Sequence, residues 1–87
     1  MPKVTVTITP GTGVQNTLVH IDSMDVSTGG IYTLATGSHS AHWWFAGNSQ
    51  STLEISISPV SDGNTLKISD VISPPYMFEA GDKNFSV

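Results

Sequence analysis

The residues of this 87-residue chain that could do chemistry are three histidines, seven carboxylates and a large set of hydroxyl side chains. Nucleophilic catalysis finds little support among them. Gly37-Ser38-His39-Ser40 places Ser beside His, but neighbouring side chains on a strand point to opposite faces, and no Gly-x-Ser-x-Gly elbow occurs. There is no cysteine, which removes thiolate nucleophiles, thiolate metal sites and disulfides. The carboxylates Asp22, Asp25, Glu54, Asp62, Asp70, Glu79 and Asp82 are scattered. Asp62 and Asp82 adjoin glycine and read as turn residues, and Glu54 alternates outward on a strand. Glycoside hydrolysis needs two carboxylates across a cleft, for which so short a chain has little room. The expectation is a protein that is not an enzyme.

Metal binding is the next chemistry to test. His20 and Asp22 are two residues apart and would share a strand face, and His42 would join them if its strand lay alongside. Imidazole and carboxylate together suit zinc or copper. No compact ligand motif appears, however, so the three histidines read as unrelated, with no metal and no cofactor expected. Gly11-Thr12-Gly13 lacks the Lys-Ser/Thr ending and the following helix of a phosphate cradle, and reads as a turn.

The segment His42-Trp43-Trp44-Phe45 asks for a different explanation. Adjacent tryptophans on a strand must face opposite sides. Either Trp43 and Phe45 point inward with His42 and Trp44 outward, or the reverse holds. One indole then lies on an outer sheet face at a cost of about 1.5–3 kcal/mol in forgone burial. Three things could cover it: the segment Pro74 to Phe78 of the same chain, a protein partner or second copy, or a sugar ring. The sugar's apolar face would stack on indole while Asn48, Ser49 and Gln50 met its hydroxyls.

The elements that carry these residues are strands. Val4, Val6 and Ile8 alternate with Thr5, Thr7 and Thr9 until Pro10-Gly11-Thr12-Gly13 breaks the pattern. A second strand reads Thr17 to Ser23, with Val19 and Ile21 opposite Leu18, His20 and Asp22. A third runs Ile31 to Thr36, with Tyr32 and Leu34 on one face, and a fourth Ala41 to Ala46. The fifth alternates most clearly, with Leu53, Ile55 and Ile57 against Thr52, Glu54, Ser56 and Ser58, and Pro59 ends it. Asp62-Gly63-Asn64 signals a turn. Leu66 and Ile68 open a sixth strand that Val71-Ile72 extends through a bulge. Ser73-Pro74-Pro75 precedes a segment from Tyr76 to Glu79, and Gly81-Asp82 turns into a last strand from Asn84 to Val87. No window has helical spacing with caps. About seven short strands at intervals of roughly ten residues predict an all-β fold, a small antiparallel β-sandwich occupying residues 1–87 as one domain.

The stretch Tyr32-Thr33-Leu34-Ala35-Thr36-Gly37-Ser38-His39 resembles the Tyr-x-Leu-x-x-Gly-x-His pattern of small transthyretin-like and immunoglobulin-like modules on bacterial surface proteins. The likeness covers eight residues. It implies a sandwich used for adhesion or display, in which one strand ends at a Gly-centred turn and the next begins with His, and it carries no catalytic residues.

Composition narrows the partners. Three lysines and no arginine stand against seven acidic residues, for a net charge of −4. Counterion release needs clustered basic side chains, so nucleic acid is not an expected partner, nor is an anionic membrane surface. No apolar run approaches the roughly 18 residues of a membrane helix, and the N-terminus alternates rather than forming a signal peptide. Charged residues make up only 11% of the chain, and Ser, Thr, Asn and Gln supply the polar surface. That surface favours an extracellular or particle-surface setting. The first and last strands carry little charge and would be open to pairing if either lay at a sheet edge. The sequence therefore reads as a non-catalytic structural or interaction module that forms a homo-oligomer or meets a protein partner. The alternative is a carbohydrate-binding module or small lectin. The candidate site is His42, Trp43, Trp44, Asn48 and Gln50.

Overall fold

The computed structural model describes residues 2–87. Eight strands among them form two antiparallel four-stranded sheets packed as a sandwich. They are β1 (Lys3–Pro10), β2 (Val14–Ile21), β3 (Met24–Asp25), β4 (Gly30–Thr33), β5 (Ser38–Gly47), β6 (Thr52–Ser58), β7 (Leu66–Val71) and β8 (Phe78–Ser86). One sheet has the order β4-β1-β6-β7 and the other β3-β2-β5-β8. No helix is long and apolar enough to cross a membrane among the described residues.

The alternation read in the sequence builds the core. Val4 and Val6 of β1, Leu53, Ile55 and Ile57 of β6 and Ile68 of β7 point in from the first sheet. Val19 and Ile21 of β2, Ala41, Trp43 and Phe45 of β5 and Phe85 of β8 meet them from the second. Glu54 faces solvent, as the fifth-strand pattern requires. Val26, Leu34 and Ile72 close the core from the connections.

The pairing fixes where each strand lies and corrects several bounds. β1 lies between β4 and β6, with Lys3–Val6 against β4 and Thr5–Pro10 against β6, so it is flanked by strands on both sides at Thr5 and Val6. β2 starts at Val14 and stops at Ile21, because Asp22 adopts a left-handed φ of 56° and turns the chain. The two-residue strand β3 is too short to show an alternation in the sequence. β4 ends at Thr33, before Leu34 plugs the core. β7 needs no bulge: its ladder to β6 is regular, and Ile72 keeps the inward phase of Ile68 with Asp70 between them. The register shift falls instead between Val14 and Asn16 on β2.

The largest difference concerns β8. Gly81-Asp82 is not a turn but the middle of a nine-residue strand paired with β5 from Phe78 to Ser86. Gly81 is there because it lies opposite Trp43, and a Cβ on it would come within 2.5 Å of the indole ring. The glycine leaves a gap in the strand's inner surface that the tryptophan fills.

The outer aromatic face as candidate functional site

β5 is the central strand of this site, and its alternation decides which tryptophan is displayed. Ala41, Trp43 and Phe45 are buried, whereas His42 and Trp44 face out. Trp43 is 9% exposed and donates its indole N–H to Asp70 Oδ2 at 2.8 Å. Trp44 is 39% exposed. The segment Pro74 to Phe78 does not bury it.

Register assembles the neighbours of Trp44. Leu18 of β2 and Ala80 of β8 are its cross-strand partners. One step along, Asn16, Ala46 and Phe78 form a second row. One step the other way, Asp25, His20, His42 and Asp82 form a third, spanning all four strands. Leu18, His20, His42, Trp43 and Trp44 line a shallow groove. Beyond the second row Tyr76 and Met77 are exposed, and Tyr76 meets Phe78 edge to face at 6.3 Å between centroids. The result is an apolar band across the outer face, bordered on one side by the His and Asp row.

That row has its own electrostatics. His20 Nε2 lies 2.6 Å from Asp25 Oδ1, a close contact without hydrogen-bond alignment. His42 sits between His20 and Asp82 in the register. β2 and β5 are therefore neighbours, the condition under which a metal set was considered. Asp22, however, leaves the strand and goes elsewhere: its Oδ2 accepts from His39 Nδ1 at 2.7 Å and its Oδ1 from the Ser40 amide at 3.0 Å. Among the described residues no group of three or more His, Cys, Asp or Glu is placed to hold a metal ion.

His39 is held from both sides, since its Nε2 lies 2.7 Å from the Ala35 carbonyl. Two acceptors on the two ring nitrogens are satisfied together only by the imidazolium. The bond to Asp22 raises the pKa of His39 above the usual imidazole value, and the same bond, with the Ser40 amide, lowers that of Asp22. The Tyr32–His39 stretch thus runs from β4 through the buried Leu34 and a Gly37 with φ 129° into β5.

Asn48, Ser49 and Gln50 are not gathered around the indole. Asn48 follows Trp44 by four residues, about 13 Å along an extended strand. Its amide donates to the Gly13 carbonyl, the Gln50 amide to the Ile72 carbonyl, and the Ser49 hydroxyl to the Tyr76 carbonyl. These three residues brace the loop after β5. Of the residues that surround Trp44 and extend its face, Leu18, His20 and Ala80 have no sequence signal linking them to it, whereas Phe78 belongs to the segment considered as its cover and lies beside it without burying it. Leu18 and His20 showed the right phase on their strand, but nothing local announced that β2 and β8 flank β5.

No family model, no curated protein and no solved structure matches the chain. Its class rests on the fold, an all-β sandwich with an aromatic outer sheet face.

Proposed function

We propose that the chain is a non-catalytic interaction module that self-associates through the outer face of the β3-β2-β5-β8 sheet, in a protein displayed on a surface or particle. The observation that carries this reading is the continuous apolar band of Leu18, Trp44 and Ala80 with Ala46 and Phe78 beside it. Leu18 at 49% and Phe78 at 51% exposure belong to one patch rather than being scattered singly. Two copies related by a two-fold axis would cover each other's Trp44, in an interface with aromatics at its centre and the His and Asp row at its rim.

A carbohydrate-binding role is the second reading, favoured by the exposed indole beside His42 and Asp82. The separation of Asn48 and Gln50 from Trp44 takes away the hydroxyl partners it was expected to use. Light scattering across a dilution series tests the first reading. Trp44→Ala should remove the face-to-face step of assembly and leave the protein folded, while Trp43→Ala should destabilise the fold through the core. A wild type that stays monomeric at high concentration overturns self-association. A sugar-dependent change in the fluorescence of that monomer, lost in Trp44→Ala, would establish the glycan reading instead.

A further inference from the structure

We infer that the edge strand β8 is a second self-association surface, pairing antiparallel with β8 of another copy in a single register that places Gly81 opposite Gly81. This goes beyond the face-to-face contact proposed above and uses a different part of the molecule.

β8 ends its sheet, with β5 on one side and, among the described residues, no strand on the other. The reciprocal bonds between Gly37 and Val87, with the Gly47 amide donating to the Met77 carbonyl, show that odd-numbered residues of this strand bond to β5. The ladder alternates, so Phe78, Ala80, Asp82 and Asn84 direct their N–H and C=O groups outward. Two neighbouring contacts agree with this phase. The Ala80 amide donates to Glu79 Oε1 at 3.2 Å, and Ser86 O accepts from the Ser61 amide at 2.8 Å. Ser61 therefore bounds the open edge at one end, leaving Phe78 to Asn84 free of other strands.

Charge selects the register. Hydrogen-bonded pairing requires outward-directed residues to face one another, so the two-fold axis can fall only at successive residues of β8. An axis at Glu79 sets Glu79 against Glu79, one at Asp82 sets Asp82 against Asp82, and one at Lys83 sets Lys83 against Lys83. An axis at Ala80 opposes Glu79 to Gly81 and makes no ion pair. An axis at Gly81 sets Glu79 against Lys83 of the second copy, twice, with Ala80 against Asp82 and Phe78 against Asn84. Neither Glu79 nor Lys83 forms an ion pair within the chain among the described residues. A charged side chain ordinarily guards an edge strand against pairing. In this one register the guard becomes a match, and Glu79 exchanges the Ala80 amide for a lysine.

Charge reversal combined with hydrogen exchange tests the seam. Glu79→Lys and Lys83→Glu should each weaken one step of assembly by about tenfold or more, and Glu79→Lys combined with Lys83→Glu should restore it. Raising the protein concentration should protect the amides of Phe78, Ala80, Asp82 and Asn84. Assembly that responds to Trp44→Ala but not to either reversal, without that protection, overturns the seam and leaves the face contact standing. The opposite pattern keeps the seam and removes the face contact. A strictly monomeric wild type removes both.

Discussion

Trp43 on β5 and Asp70 on β7 are joined across the sandwich by an indole N–H to carboxylate hydrogen bond of 2.8 Å. The bond ties the two sheets at a point where β7 is an edge strand with a single neighbour. It also explains how a carboxylate comes to lie in phase with the core residues Ile68 and Ile72. The acid serves the largest inward-facing side chain of the opposing sheet.

Asp70→Ala should lower the unfolding free energy by about 1–3 kcal/mol, because the indole N–H is left without its acceptor. Asp70→Asn retains an acceptor and should lose less. Chemical denaturation followed by Trp fluorescence measures both, and equal losses would assign the effect to the edge strand rather than the bond.

Gly81→Ala should destabilise by about 1–3 kcal/mol through overpacking against Trp43. Combining it with Trp43→Phe, which removes ring atoms that the new methyl meets, should recover part of that loss. Simple additivity of the two changes in thermal denaturation would contradict the packing account.

Ile55→Ala should cost about 2–5 kcal/mol, since the side chain is fully buried between the sheets. A change under about 0.5 kcal/mol in urea unfolding would be incompatible with its place in β6.

The His39–Asp22 pair makes stability depend on pH in a definite sense. His39 is raised in the fold, so its contribution is complete below the usual imidazole value, about 6.5, and is lost as pH rises through the raised value. Asp22 is lowered, so its contribution is present above the usual carboxylate value and is lost as pH falls through the depressed one. The pair therefore stabilises most in mild acid. His39→Gln should flatten the neutral-to-basic decline of the melting temperature, and Asp22→Asn should flatten both limbs. An unchanged profile in His39→Gln would show that another group governs the decline.

The alternation of β1 and β6 was legible because each strand is buried on one face only, so period-two patterning survives in the residues themselves. The orientation of Trp43 and Trp44 was narrowed to two choices, and tertiary pairing chose between them. Gly81-Asp82 misled because the same dipeptide that favours a turn also suits a strand beside a large ring. Asp70 carried no local sign of its inward position, since only its partner, 27 residues away, makes that position tolerable. Asn48 and Gln50 are close to the indole in sequence, but β5 runs on to Gly47 and the turn that follows ties their amides to Gly13 and Ile72.

The interior position of β1 has a consequence for how the molecule is built. Its two neighbours are β4 and β6, so the sheet of Lys3–Pro10 cannot be completed until Thr52–Ser58 has come back to it. β2 likewise waits for β5, and β5 for β8. Only β2–β3 and β6–β7 join strands consecutive in the chain. A chain whose ladders close such long loops must spend conformational entropy before its contacts reward it, and folds in milliseconds to seconds rather than microseconds. Until Thr52–Ser58 arrives, the edge of β1 that β6 covers has no strand partner, which makes the wait for β6, more than the finished sandwich, the moment at which copies of this chain are open to unintended partners.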